Sequence, residues 1–525
     1  MTFADFIVTN APALLVAIPL FAAFLCPVMG KISSTVRNCW VMGMMLITAA
    51  IAFILAYRVF ATGPVLYVFG AAAANLAIPL DSGGIPIRII FTVDAMSAFM
   101  EIICAIVGLT VLLYSLSSES RNSSLEGYYT LFFLMITGVF GMVSTGDLFN
   151  FFVFLEILSL ASAGMIAYRI DGGIAVEAAL KYFILSTLGA IFILFAIGIF
   201  YGEYNALNMA MIAQRMQYTM LDKIALVLII AALAMKCGAV PLHFWTPDAY
   251  SMAPASVTAF LVVASQASLY GLFRVLFTMY NITMNCVTVG WIIIILGVLS
   301  MVVGVTMAIP QKDIKRLMAY HAVSQTGYML LGVGVGLAVL GNAALTSAFG
   351  SMAMEGGIFH IFNHAMYKGL LFLTAGVIVY RIGTRDLNKM GGLGHTMKYT
   401  MIFFIIGALA IAGIPPLNGF ASKQMIYESV YLFNPILAII AMVVSILTLA
   451  SFVKVFHSVF MGPQLPEYAG VKEAPLPMLI GMGILAAICI LFGLFPQPVV
   501  DMLVAPAVHA LADQSGYIAS VLGGA

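Results

Sequence analysis

Charge is what this chain lacks. Of its 525 residues 8% are Asp, Glu, Lys or Arg and 63% are apolar, whereas soluble domains hold about 25% and about 45–50%. That balance excludes a water-soluble fold and indicates an integral, all-α membrane protein embedded in a lipid bilayer. The net charge of +1 leaves no basic footprint and argues against nucleic acid or another polyanion as partner. Cysteine is sparse as well. Cys26, Cys39, Cys104, Cys237, Cys286 and Cys489 are scattered without C-x-x-C or C-x-x-H spacing, so they read as small apolar fillers rather than disulfides or zinc ligands. No metal and no cofactor is assigned to the chain.

What fills the sequence is apolar runs long enough to cross about 30 Å of hydrocarbon. About fourteen are expected, at 11–29, 39–60, 91–114, 128–146, 148–168, 178–201, 223–243, 254–279, 286–309, 317–340, 349–380, 398–432, 434–459 and 474–495. With no basic segment before it, the first reads as an uncleaved helix. The stretch 61–90, with Pro64, Pro79, Asp81 and Pro86, is too broken for a helix and reads as an extramembrane hairpin or loop. Of the 22 Lys and Arg, counting those near a run's end with the adjoining loop, 13 belong to loops after odd-numbered runs and 5 to loops after even-numbered runs, and Lys236, Lys368, Lys423 and Lys454 are counted within runs. The positive-inside rule then places odd loops in the cytoplasm and both termini outside the cell (plasma) membrane.

Two runs are broken by proline, and each has a lysine near the break: Lys236 before Pro241 in the seventh run, Lys423 after Pro415 and Pro416 in the twelfth. A lysine at the centre of a spanning helix costs about 2.5–3.5 kcal/mol and marks a functional position. A broken helix is tolerated only where protein or a water-filled cavity satisfies the freed backbone. The breaks are five helices apart, so helices 4–8 and 9–13 read as two repeats, the second entering the membrane inverted. The chain then divides into 1–127 (helices 1–3), 128–279 (first repeat), 286–459 (second repeat) and 460–525 (helix 14 and tail).

Three further patterns carry titratable groups. Glu156 stands mid-way along the fifth run, where a carboxylate is costly unless an ammonium such as Lys236 offsets it. His360, His364 and Lys368 recur at i, i+4, i+8 on one face of the eleventh helix, a spacing that suits a proton relay. An His-x-x-x-His metal site is the rival reading, but it lacks a third ligand. In the tenth run His321, with Ser324 and Gln325, either lines a second half-channel or bonds neighbouring helices. Gly332, Gly334 and Gly336 mimic a dinucleotide loop, yet no strand precedes them, so close helix packing is expected.

Four strings in order, Lys236-Cys-Gly-Ala-Val-Pro241-Leu-His-Phe-Trp-Thr-Pro-Asp248, Asp313-Ile-Lys-Arg-Leu-Met-Ala-Tyr-His-Ala-Val-Ser-Gln325, Asn363-His364-Ala-Met-Tyr-Lys368 and Gly413-Ile-Pro-Pro-Leu-Asn-Gly-Phe420, resemble the antiporter-like subunits of respiratory complex I. The same type recurs in multisubunit cation/proton antiporters and membrane-bound energy-converting hydrogenases. The resemblance implies a fourteen-helix fold with inverted repeats and a central axis moving protons, with sodium as a second candidate ion, driven by redox subunits with Fe-S or Ni-Fe centres in partner chains. It implies roles for Glu156 paired with Lys236, for the relay His360, His364 and Lys368, and for the terminal Lys423. The family commonly has Lys or His in helix eight as a bridge. Here that region holds Ser265, Gln266 and Ser268, so the implied bridge runs through water held by these side chains. A tail of about thirty residues after helix fourteen leaves no room for a long lateral helix, as in the family's shorter, hydrogenase- and antiporter-associated members. A sodium/proton antiporter subunit without redox partner and a non-conducting scaffold are the alternatives.

Overall fold

The computed structural model describes residues 3–70, 88–119, 125–169 and 173–523, which are overwhelmingly helical. In hydrocarbon a spanning segment must close its own backbone hydrogen bonds, and a helix does so within one segment. In chain order the main helices are α1 (Phe3–Ile32), α2 (Ser34–Thr62), α3 (Ala95–Ser118), α4 (Leu125–Ser144), α5 (Leu148–Ile166) and α6 (Gly173–Tyr204). Then follow α7 (Met220–Cys237), α8 (Ala255–Phe273), α9 (Cys286–Ala308), α10 (Ile314–Val339), α11 (Ser351–Ile382), α12 (Lys398–Ala412), α13 (Pro435–Phe460) and α14 (Leu476–Leu494).

Among the described residues twelve helices are long and apolar enough to cross a membrane, each matching one expected run. The two expected runs outside that set are α7 and α12, those interrupted by proline. α7 carries Asp222, Lys223 and Lys236 and resumes as a second arm, Trp245–Met252. α12 spans only 15 residues before its second arm, Asn418–Phe433. Both first arms end on a left-handed glycine, Gly238 (φ +75) and Gly413 (φ +76), a conformation that the missing Cβ permits. Pro241, Pro415 and Pro416 follow in the gaps, where the absent N–H costs no helical bond.

The stretch after α2 is a hairpin at its base: β1 (Val65–Val68) pairs antiparallel with β2 (Ile90–Val93). Pro79, Asp81 and Pro86 lie outside the described residues. The third helix therefore starts at Ala95 rather than 91, because Ile90-Phe-Thr-Val93 favours a strand and the Asp94 carboxylate caps the helix by accepting from Ser97 N at 2.9 Å.

α8 and α10 are enclosed by protein, whereas α1, α6 and α13 turn Phe24, Phe195 and Ile446 outward. α10 fits because its glycines let backbones touch. A Cβ on Gly332 would lie 2.6 Å from the Ala353 carbonyl oxygen of α11, and one on Gly334 3.0 Å from the Ile294 nitrogen of α9. The glycine run is thus a packing surface. The polar residues of interest lie inside this bundle, on α5, α7, α8, α10, α11 and α12.

Candidate functional site

Glu156 on α5 and Lys236 on α7 face each other, with Glu156 Oε1 3.7 Å from Lys236 Nζ. The left-handed Gly238 ends α7 two residues later, so the ammonium sits in the last turn, where unpaired carbonyls favour a cation. Its direct hydrogen bonds go to hydroxyls: Nζ donates to Ser159 Oγ at 2.7 Å and Ser186 Oγ at 2.8 Å. Ser186 donates to Ser159 at 2.9 Å, and Ser159 donates to the Leu155 carbonyl at 2.6 Å. Ser159 is one turn from Glu156 on the same face of α5. Lys236 is thus held by neutral groups and paired with Glu156 at longer range.

Beside this cluster lies a cavity of about 20 Å³ lined by Lys236, Ser159, Ser186, Tyr182, Ser265 and Ser268, among others. One water needs about 10–15 Å³, so the space suits a single molecule. Ser265 and Ser268 therefore face Lys236 across a water-sized gap. Between them on α8, Gln266 turns the other way: its Nε2 donates to the Ile361 carbonyl at 2.9 Å and lies 2.7 Å from His364 Nδ1. Gln266 ties α8 to α11.

The side chains of His360, His364 and Lys368 reach different neighbours. His360 lies 2.9 Å from Ser422 Oγ and 3.2 Å from Gln325 Oε1, and Tyr367 OH reaches both His360 Nε2 (3.1 Å) and Gln325 Oε1 (3.2 Å). His364 meets Gln266, and Lys368 Nζ donates to the Met318 carbonyl at 2.6 Å. The reason is helical geometry: each step of four residues turns the direction by about 40°. Over two steps the three side chains address three neighbours, α12, α8 and α10.

Lys423 also differs from Lys236. It belongs to the arm after its break and reaches back across it, donating to the Ile411 carbonyl at 2.8 Å and to Ser445 Oγ at 2.9 Å, with the Tyr328 ring centroid 4.6 Å away. The two lysines both lie beside a helix break but stand on opposite sides of it, and only Lys423 bonds across its break. Ser422, the neighbour of Lys423, is the residue that meets His360.

Several buried atoms of these residues and their neighbours have no protein hydrogen-bond partner: Glu156 Oε1, Gln266 Oε1, His364 Nε2, Gln325 Nε2 and both ring nitrogens of His321. Buried polar groups of this kind are satisfied by ordered water. His321, fully buried, packs 5.0 Å from the Phe452 ring, and Lys368 Nζ lies 5.9 Å from the same ring. Ser159, Ser186, Tyr367, Ser422 and Ser445 are site residues that sequence reasoning passes over. The only local signal is for Ser159, one turn from Glu156, and for Ser422, adjacent to Lys423.

A many-spanning helical bundle with a buried file of Glu, Lys, His, Gln and hydroxyl groups defines a class of polytopic membrane protein able to hold protons away from lipid. Residues 145–448 match the family described as NADH:quinone oxidoreductase/Mrp antiporter, transmembrane, and the chain belongs to that family. It is 33% identical over 446 residues to a Na(+)/H(+) antiporter subunit of Alkalihalophilus pseudofirmus, covering 83% of this chain and 86% of the relative. It is 31% identical over 517 residues to NADH-quinone oxidoreductase subunit N of Desulforudis audaxviator, covering 94% and 97%. Its fold superposes with TM-score 0.86 on a chain of the membrane-bound sulfane sulfur reductase, an archaeal respiratory membrane complex, at 27% identity, covering 98% of this chain and 100% of the other. These relatives are subunits of multisubunit membrane complexes.

Proposed function

We propose that this chain is the proton-translocating membrane subunit of a redox-driven complex in the plasma membrane, of the complex I or membrane-bound hydrogenase kind. Protons move along the file from Glu156 and Lys236 past Ser265, Gln266 and Ser268 to His364, His360 and Lys423. The observation that carries the reading is the placement of Lys236 beside a water-sized cavity whose far wall is α8, with Gln266 on α8 bonded to His364. Shifting Lys236 toward or away from Glu156 changes how firmly each holds its proton, which is the coupling a pump needs. Electron transfer belongs to partner subunits carrying Fe-S, Ni-Fe or similar centres, since this chain has no cysteine pattern for such a group. The likeness to a quinone oxidoreductase subunit and to a chain of a respiratory complex supports that assignment.

A sodium/proton antiporter subunit without redox partner is the second reading, favoured by the 33% identity to the Alkalihalophilus antiporter chain. A non-conducting scaffold fits less well, because a brace has no use for unpaired buried polar atoms. Inverted repeats over 128–279 and 286–459 accord with the paired left-handed glycines at Gly238 and Gly413, and both termini are assigned outside on the charge bias of the loops. The test is Lys236→Ala in the intact complex, reconstituted into liposomes, with proton flux followed by an entrapped pH dye. Flux should be abolished with assembly retained; flux equal to the parent overturns the reading.

A further inference from the structure

The file of polar groups has a weak centre, because α8 carries no titratable side chain where it crosses from Lys236 to His364. A carboxyl reaches that level from elsewhere. Glu101 on α3 is fully buried; its Oε1 accepts from Ser144 Oγ at 2.8 Å, and its Oε2 has no protein partner. No part of the file described above uses it.

Its position opposite Gln266 follows from two contacts between α3 and α8. Ser97 Oγ lies 2.9 Å from Tyr270 OH. Further along, a Cβ on Gly108 would lie 3.6 Å from the Phe260 ring. The residue number rises on α3 as it falls on α8, so the helices run antiparallel and in step. One turn from Ser97 is Glu101, and one turn from Tyr270, in the same direction along the bundle, is Gln266. Tyr270 OH also donates to the Val143 carbonyl at 2.9 Å, next to the Ser144 that holds Glu101. Phe99 and Phe362, 5.9 Å apart, bring α3 to the level of the Ile361 carbonyl that orients Gln266.

Gln266 Nε2 is committed to Ile361 and His364, which leaves its Oε1 as a buried acceptor without a protein partner. Glu101 Oε2 is another buried oxygen without a hydrogen-bond partner, one turn from the same contact between the two helices. Each of the two acceptors needs a hydrogen, supplied by a protonated carboxyl or by water.

We propose that Glu101 supplies from α3 the titratable group that α8 lacks, and that it carries the proton across the middle of the file. The inference rests on the proton-translocation reading given above. The Glu101 carboxylate takes a proton from the Lys236 side through water held by Ser268, becoming a hydroxyl that donates toward Gln266 Oε1. It then yields that proton through water to His364 Nδ1, the ring nitrogen that accepts from Gln266 and so lacks a hydrogen, and returns to the carboxylate. Nothing is oxidised or reduced.

The test is proton flux into liposomes bearing the intact complex, driven by an imposed potassium diffusion potential, for Glu101→Gln, Lys236→Ala and the exchanged pair Glu101→Gln with Gln266→Glu. Glu101→Gln should cut flux about tenfold or more, the scale set by unpairing one buried polar group, and the exchanged pair should restore it. An infrared difference spectrum should lose one protonated-carboxyl band in Glu101→Gln and regain one in the exchanged pair. Parent-level flux in Glu101→Gln, with Lys236→Ala inactive, overturns the bridge and leaves the wider reading standing. Parent-level flux in Lys236→Ala overturns the wider reading. If Glu101→Gln does not assemble, the exchanged pair decides alone: assembly without flux overturns the bridge.

Discussion

Lys423 Nζ, on the second arm of α12, donates to the carbonyl oxygen of Ile411 on the first arm at 2.8 Å. The last carbonyls of a helix have no partner within it, and a break inside a membrane makes that shortage costly. One ammonium therefore serves two ends: it closes the junction and stands as a titratable group beside Ser422 and His360.

Lys423→Met should accordingly lose both flux and stability. Leaving the Ile411 carbonyl unpaired costs about 1–3 kcal/mol, which thermal unfolding of the purified complex would register. Unchanged unfolding with flux abolished would show that the junction does not depend on the ammonium.

Lys236→Ala should separate the two effects. Its ammonium touches side chains only, and Ser159 and Ser186 keep their mutual bond at 2.9 Å without it. Flux should vanish while the complex still assembles, with a stability loss of about 1–3 kcal/mol from the two hydrogen bonds removed. A collapse of assembly would contradict that picture.

Much of this was legible in the sequence. The spans are legible because hydrocarbon demands a fixed length of apolar helix, and Lys236, Lys423 and Glu156 because charge in such a run is expensive. Glu101 obeys the same rule in the run 91–114, yet it belongs to none of the four strings that carry the family resemblance. The spacing of His360, His364 and Lys368 is legible, but their partners are not: the 40° drift per step is visible only once α8, α10 and α12 are in place. Ser159 and Ser186 are illegible for another reason. Serines are common at helix contacts, and only packing shows which two meet a lysine.

Arg274 and Asp94 form a buried bidentate pair at 2.6 and 2.7 Å, with Arg274 also donating to Ser97 and Tyr270. Asp94→Leu should destabilise by about 3–5 kcal/mol because it strands a buried guanidinium. Adding Arg274→Met should recover much of that loss in the same unfolding measurement. A double variant as unstable as the single one would show that the pair's geometry is needed.

Gly332→Ala should be poorly tolerated, since the new methyl meets the Ala353 carbonyl oxygen at 2.6 Å, and overpacking of this kind costs about 1–3 kcal/mol. Gly341→Ala, with nothing within 4 Å of its Cβ, is the matched control. Equal yields of assembled complex for the two would refute the close α10–α11 contact.

The cavity lined by Lys236 and Ser268 holds about 20 Å³, room for about one confined water. One water there is enough to join the ammonium on α7 to the hydroxyls of α8, so the two helices can share a hydrogen-bonded path without either side chain reaching the other.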